Sequence, residues 1–386
     1  NQLMVGFQVG VGIAATALIS RALGAKQSHY AKQLSALVLI IGGSVMAALV
    51  LVIWLIKMPV LHGLGAEESL FPYTDSYWLP WLISSWAHAF LYFGTSLSRA
   101  YGDTKLPGLI MVAASLLNMA LDPIFIFVLD FGLPGAAYAT ITSCIITGTL
   151  LFTRLGRRHW LLFQFQGLNI HNALRDIAQI SLPAMLSQLM PGIAALLATR
   201  IVAAFGSAAV AAWALGSRLE MFSIVMVLAL TMSMPPMLGH MLGAKQLTTA
   251  HQLVRLAARF ILLSQAIIAL VWLALRPWMV SALTQDADTA TYLASYMLWV
   301  PISYSAIGVC ILMVSVCNAL GMPMRAVVIS ILRLFAFYLP CVAVGAHLWG
   351  MNGVYYGVLV GNIAAGINGW AFYRRGFRQL LSAHSP

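Results

Sequence analysis

The sequence predicts an all-α polytopic membrane protein made of two six-helix bundles, and three observations carry that reading. The first is composition: 61% of the 386 residues are hydrophobic and only 8% are charged, against roughly 25% charged in a soluble domain. A water-soluble enzyme and a disordered chain are both excluded. The second is pattern: the apolar residues form long, non-alternating runs close to the ~20 residues a helix needs to cross the hydrocarbon core. A membrane β-barrel, with its period of two, is excluded. The third is repetition: Leu23-Gly24-Ala25-Lys26-Gln27 returns as Leu242-Gly243-Ala244-Lys245-Gln246, 219 residues later. At the same spacing Ala31, Gln33, Ala100 and Gly102 match Ala250, Gln252, Ala319 and Gly321, and Trp54 and Pro59 match Trp272 and Pro277 one residue closer. Matches held at one spacing from 23 to 102 identify a tandem duplication.

Taken in order, the runs predict eleven spans near 3–20, 35–56, 78–98, 107–129, 133–153, 180–204, 209–239, 256–275, 291–318, 326–348 and 351–372. Seventeen of the 21 Lys and Arg residues lie in or beside alternate connections, beginning with Arg21, Lys26 and Lys32 and ending with Arg374, Arg375 and Arg378. By the positive-inside rule those connections, and the C-terminus, are cytoplasmic. The opposite connections hold Lys57 and Arg276 but six acids, Glu67, Glu68, Asp75, Asp130, Asp286 and Asp288. Trp78, Trp81, Trp278 and Trp349 fall where the outer interface is expected, and packing between helices accounts for any one of them equally well. The net charge of +11 therefore marks one side of a membrane, and no nucleic-acid partner is expected. Cys144, Cys310, Cys317 and Cys341 sit in apolar runs without regular spacing, so neither a disulfide framework nor a metal knuckle is predicted.

Six spans per repeat is an even number, so the halves share one orientation, a parallel repeat about the membrane normal. The expected organisation is an N-terminal lobe at 1–153, a cytoplasmic linker at 154–175 and a C-terminal lobe at 176–386. The second half opens near Ala173 with a full span before the counterpart of Asn1, and 173 less 219 is −46. A first span preceding Asn1, for twelve in all, is the expectation.

Two acids lie well inside the spans, Asp122 and Glu220, and an ionisable residue at membrane depth is a functional candidate by default. Asn118 and Asp122 are four apart on one helix face, so the amide can hydrogen-bond the carboxyl or join it in holding a cation. Pro123 cannot donate to the preceding turn, which frees a carbonyl nearby. The counterparts of Asn118 and Asp122 at the 219-residue spacing are Phe337 and Cys341, so the polar pair is not part of the common scaffold. Arg218 and Glu220 are two apart on the eighth span, read as a structural or snorkelling pair or as a substrate or gate contact. His88 and Tyr92 share a face of the fourth span and are candidates for a substrate cleft, with simple packing as the alternative. Pro235, Pro236 and Pro301 interrupt spans as hinges or as static kinks.

The segment ISRALGAKQ at 19–27, the turn Ala100-Tyr101-Gly102-Asp103 and, above all, Asn118-Met119-Ala120-Leu121-Asp122-Pro123 followed by Phe131-Gly132-Leu133-Pro134-Gly135-Ala136-Ala137-Tyr138-Ala139-Thr140 resemble the multidrug and toxic compound extrusion (MATE) family. The resemblance covers the whole chain in span order and repeat. It implies two six-helix lobes around a central cleft and export by alternating access, in which protons or sodium ions moving inward drive amphipathic, often cationic, compounds out. The DinF-like branch of that family has a carboxylate on its first helix, which cannot be carried over because that helix is not in this sequence, and an Asn, an Asp and a Thr on its fifth and sixth helices. Asn118, Asp122 and Thr140 match them. The NorM-like branch carries acids on its seventh and tenth helices, and 180–204 and 291–318 contain none. An apolar setting disfavours the charged form of a carboxyl, which suits a proton carrier; the same oxygens can ligate sodium, and no other metal is expected at the site.

The expected function is thus an antiporter in the bacterial inner membrane, acting as a single chain among membrane lipid, without an organic cofactor. The alternative is a flippase for a lipid-linked oligosaccharide, which would line its cleft with several cationic side chains. An intramembrane enzyme is disfavoured, since neither HExxH nor G-x-S-x-G occurs.

Overall fold

The computed structural model describes residues 2–59 and 71–384; Glu67 and Glu68 lie outside them. Within them every regular element is helical, as a lipid environment requires of a chain that must satisfy its backbone internally. In the first half, α1 is Gln2–Gly24, α2 Ser28–Leu55, α3 Phe71–Ala100, α4 Lys105–Pro123 with a π turn at Ile124–Val128, and α5 Leu133–Arg157. Then follow α6 Ile170–Ala203, α7 Ser207–Ser223, α8 Val225–Gly243, α9 Leu247–Leu283 and α10 Ala287–Trp299. A 3₁₀ turn at Pro301–Ser303 leads into α11, Tyr304–Ala319; α12 is Pro323–Ile331, a π segment follows at Leu332–Tyr338, and α13 is Leu339–His384.

Among the described residues nine helical stretches are long and apolar enough to cross a membrane. The last, Pro323–Ser382, contains two crossings, because Trp349 and Gly350 leave helical geometry (Gly350 φ 61°, ψ −143°) and α13 folds back on itself. α3, 30 residues long, is less apolar because Asp75, Ser84, Ser85 and His88 dilute it. With the hairpin and α3 included, the crossings agree with the eleven read from the sequence.

Four predicted spans are interrupted: 326–348 by the π segment at Leu332–Tyr338, and three others at breaks whose freed backbone groups can be followed. The span at 209–239 divides at Ile224 (φ −85°, ψ 2°), whereas Pro235 and Pro236 lie inside the continuous α8. The Ser223 carbonyl at that break accepts from Gln265 Nε2 at 2.9 Å and the Ser223 hydroxyl accepts from Trp272 Nε1 at 2.7 Å, so α9 meets the hydrogen-bonding needs of the broken turn. The span at 291–318 breaks where Pro301 lacks an N–H; Ser303 Oγ donates to the Val300 carbonyl at 2.7 Å and accepts from Asn362 at 2.9 Å. The span at 107–129 ends in the π turn just after Pro123.

The duplicated turns close in the same way. Gln27 N–H bonds Ala22 O at 2.9 Å and Lys26 N–H bonds Leu23 O at 3.0 Å; Gln246 N–H bonds Met241 O at 2.8 Å and Lys245 N–H bonds Leu242 O at 3.1 Å. This is the Schellman cap, with a lysine at the left-handed position in both copies, φ 62° at Lys26 and 58° at Lys245. Gly102 and Gly321 close the second pair of matched turns at φ 84° and 76°.

The chain divides into two compact units, Asn1–Met185 and Leu186–Pro386. In the first, α1 is the central helix, with Ala14, Ala15, Ala17 and Ile19 all fully buried. Small residues let its neighbours approach: a Cβ on Gly10 would lie 2.6 Å from the Ser181 carbonyl of α6, and one on Gly12 2.6 Å from the Tyr92 ring of α3. This is small-residue packing of the kind that associates helices in lipid. In the second unit α11 is the buried helix, with Cys310, Leu312, Met313 and Cys317 at its core.

Candidate functional site

Asn118 and Asp122 lie one helical turn apart on α4, and Thr140 lies on the second turn of α5. The amide Nδ2 of Asn118 donates to Asp122 Oδ1 at 3.3 Å and to Thr140 Oγ1 at 3.2 Å, while the Thr140 hydroxyl donates to the Ala136 carbonyl at 3.0 Å. Two features of the sequence hold the helices at this distance. Pro123 leaves the Met119 carbonyl without its i+4 donor, and the chain continues as a π turn, in the manner of π bulges at functional positions. Gly132 then adopts φ 57° and ψ −136°, so that Gly135 comes down on the π turn, where a Cβ would lie 2.7 Å from the Phe125 carbonyl oxygen. The Asn-x-x-x-Asp-Pro and Gly-x-x-Gly stretches thus act together: one supplies the polar pair, the other brings α5 close enough for Thr140 to reach it.

The site opens on a cavity of about 370 Å3 within the first unit, lined by Asp122 and Thr140 together with Gln8 of α1 and Ser84, Ser85 and His88 of α3. His88 Nδ1 stands 3.4 Å from Gln8 Oε1. The serine hydroxyls donate to the Trp81 carbonyl at 2.8 and 2.9 Å, which leaves their lone pairs to the cavity. Trp81 and Met4 supply apolar wall. Ser84, Ser85 and Gln8, the last only 5% exposed, are polar lining residues that sequence reasoning missed, and Gln8 is the one that reaches in from α1. Its signal was available, as the amide in the middle of the first apolar run.

His88 therefore shares one cavity with Asp122 and Thr140, and Tyr92 does not. Tyr92 is one turn further along α3, its ring covered by Gly12 of α1 and faced by the Arg99 guanidinium 5.6 Å from its centroid. A shared helical face is not a shared environment once a neighbouring glycine lets a helix close over one of the two.

Arg218 and Glu220 are in the second unit and are not paired with each other. Two residues place them on different sides of α7: Arg218 is exposed and Glu220 half-buried. Glu220 Oε2 accepts from the Tyr296 hydroxyl of α10 at 3.2 Å, and the positive charge acting on it is that of Arg333 in the π segment. Among the described residues the ion pairs are Lys57 with Asp75 and Arg158 with Asp103. No group of three or more His, Cys, Asp or Glu is placed to hold a metal among them; at Asp122 the oxygens in reach are those of the carboxylate and the Thr140 hydroxyl, hard donors suited to a light cation.

A polytopic helical chain with a polar, carboxylate-bearing cavity among its spans has the architecture of a membrane transporter. Comparison with known proteins gives the family. The chain belongs to the MatE family, the multidrug and toxic compound extrusion transporters, whose pattern matches residues 1–124 and 183–359. It is 28% identical to the FAD transporter of Shewanella oneidensis over 93% of this chain and 81% of that one. It is 24% identical to the multidrug export protein MepA of Staphylococcus aureus over 93% of this chain and 79% of that one. Among solved structures, the MATE transporter VcmN of Vibrio cholerae in its bent form superposes with a TM-score of 0.96 at 49% identity, covering 98% of this chain and 86% of the other.

Proposed function

We propose that the chain is an ion-driven exporter of amphipathic, cationic compounds, working by alternating access in the bacterial inner membrane with its C-terminus in the cytoplasm. The observation that carries this reading is the Asn118–Asp122–Thr140 cluster, of which Asp122 and Thr140 line a cavity of about 370 Å3. Asp122 is the coupling residue: it takes up the driving ion from outside and gives it up inside, and its charge between those events attracts a cationic substrate. Asn118 and Thr140 position it. The Asn118 amide donates to the carboxylate; a proton would be carried by the carboxyl alone, and sodium would be held with the amide turned so that its oxygen joins Asp122 and Thr140. The cluster's place in the N-terminal half, with the match of its three residues, supports the DinF-like branch. The lobes would be 1–153 and 176–386, joined by 154–175.

A second reading is export of FAD, suggested by the likeness to the Shewanella oneidensis transporter. The cavity carries a carboxylate and no Arg or Lys in its lining, which disfavours a phosphate-bearing substrate, and the same feature weighs against a flippase for anionic lipid-linked sugars.

The test is efflux from proteoliposomes, with a fluorescent cationic dye and FAD as separate cargoes and with proton or sodium gradients imposed one at a time. Dye movement under one gradient, lost in Asp122→Asn, is the expected result. FAD movement without dye movement would establish the second reading. Equal rates in wild type and Asp122→Asn would remove Asp122 from coupling.

A further inference from the structure

We infer that the second unit carries a binding site for one anionic glycerophospholipid of the inner leaflet, on a groove between α9, α11 and the second half of α13. The groove has a volume of about 420 Å3, with Leu262, Ile363, Ile367 and Trp370 along its walls and Arg255 and Arg259 at one end. Its floor is built by close approach: a Cβ on Gly366 would lie 2.6 Å from the Ala306 carbonyl oxygen, so α11 and α13 touch and the larger side chains on either side leave a channel. Ile363, Ile367 and Leu262 are 41%, 68% and 46% exposed. The channel is open along its length.

The level of the arginines in the bilayer follows from helix geometry. Arg259 and Arg276 are seventeen residues apart on α9, about 26 Å at 1.5 Å per residue, close to the ~30 Å of the hydrocarbon core. Arg259 is therefore at headgroup level, Arg255 one turn outside it, and Leu262 just inside. On α13 the same change occurs between Trp370 and Arg374. Both helices turn from apolar to basic at one depth. The two basic stretches are fastened together there: His251 of α9 hydrogen-bonds the Tyr373 hydroxyl at 2.8 Å and stacks on Phe377 at 4.8 Å, and the charges of Arg255 and Arg374 both act on it.

The balancing charge must come from outside this unit. No Asp or Glu occurs between Glu220 and Asp286, and none follows Asp288; among the described residues no carboxylate pairs with Arg255, Arg259 or Arg374. An exposed cationic cluster at headgroup depth, continuous with an open apolar channel, is complementary to a phosphate with an acyl chain attached. The phosphate sits on Arg255 and Arg259 and the chain lies past Leu262 and Ile367 beside Trp370.

Trp370 supplies the measurement. Its fluorescence, taken as wild type less Trp370→Phe, is followed in vesicles of phosphatidylcholine containing an increasing fraction of phosphatidylglycerol brominated on its acyl chains, and in the converse mixture with brominated phosphatidylcholine. The expected result is half-quenching at a brominated phosphatidylglycerol fraction at least about fivefold lower than for brominated phosphatidylcholine, since each arginine near the surface is worth about a factor of five toward anionic lipid. Arg255→Gln with Arg259→Gln should bring the two fractions together, and Arg255→Lys with Arg259→Lys should keep them apart. Equal quenching in the wild type, or an undiminished preference in the Gln pair, overturns the proposal. So does relief of quenching by soluble glycerol 3-phosphate, because that would make the site one for a free anion without a chain.

Discussion

The amide nitrogen of Asn118 donates to Asp122 at 3.3 Å and to Thr140 at 3.2 Å, so one side chain ties the carboxylate of α4 to the hydroxyl of α5. A hydrogen bond to a charged group is worth about 1.5–3 kcal/mol and a neutral one about 1 kcal/mol. We expect Asp122→Asn to abolish ion-driven efflux. Asn118→Ala should reduce it by roughly tenfold or more, and Thr140→Val by only a few-fold, since that variant keeps the Asn118–Asp122 contact. Initial rates against imposed gradient check the order. A Thr140→Val loss as large as that of Asn118→Ala would show that the hydroxyl, not the amide, organises the site.

Gly135 holds the second prediction. A Cβ there would lie 2.7 Å from the Phe125 carbonyl oxygen and 2.9 Å from the Ile126 nitrogen, backbone atoms that cannot rotate aside. Gly135→Ala should cost about 1–3 kcal/mol through overpacking and lower Tm by several degrees. Efflux should fall with it, because the displaced π turn follows directly on Asp122. Gly148→Ala on the same helix, where an added Cβ meets nothing within 4 Å, is the control and should leave Tm unchanged or slightly raised.

The features legible in the sequence were those set by hydrophobic length, charge bias and local spacing. Eleven apolar runs, the Lys26 and Lys245 turns and the four-residue step from Asn118 to Asp122 need no tertiary information. What could not be read depended on partners distant in sequence. Nothing near Ile224 marks a helix break, since the donors that make it tolerable, Gln265 and Trp272, are 42 and 49 residues from Ser223. The prolines at 235 and 236, read as hinges or static kinks, lie inside one continuous helix, because a membrane helix can re-satisfy a freed carbonyl. Likewise His88 and Tyr92 have the same local pattern, and only the approach of Gly12 covers the Tyr92 ring and leaves His88 on the cavity.

The Glu220–Tyr296 contact, at 3.2 Å, joins α7 to α10 within the second unit. A double-mutant cycle on Glu220→Gln and Tyr296→Phe, read by thermal unfolding in detergent, should give a coupling of about 1 kcal/mol, the scale of polar contacts between helices in a membrane. We also expect Glu220→Gln to retain its dependence on the imposed ion gradient, because the coupling carboxylate we propose is Asp122. Loss of that dependence with Tm unchanged would move part of the coupling to the second unit.

The turn after α3 gives a pH dependence whose sign can be fixed. Burial alone would raise the Asp103 carboxyl, but it is outweighed by the Leu106 N–H, at 3.0 Å, the Arg158 guanidinium, at 2.7 Å, and the Lys105 N–H, which together hold it below its ordinary value of 3.8. Arg158 also lies 4.8 Å over the Trp160 ring, which stacks on Tyr101 at 4.5 Å, so the pair pins the connection after α5 to the end of α3. A carboxyl lowered by folding contributes stability that is present above its unfolded value and is lost as pH falls through the folded one. The Tm difference between wild type and Asp103→Asn should therefore be present at pH 7 and close progressively below about pH 4. Its size should match a partly exposed pair, about 1 kcal/mol or less, and shrink in high salt. A difference that persists unchanged at pH 3 would mean that Asp103 acts through packing and not through its charge.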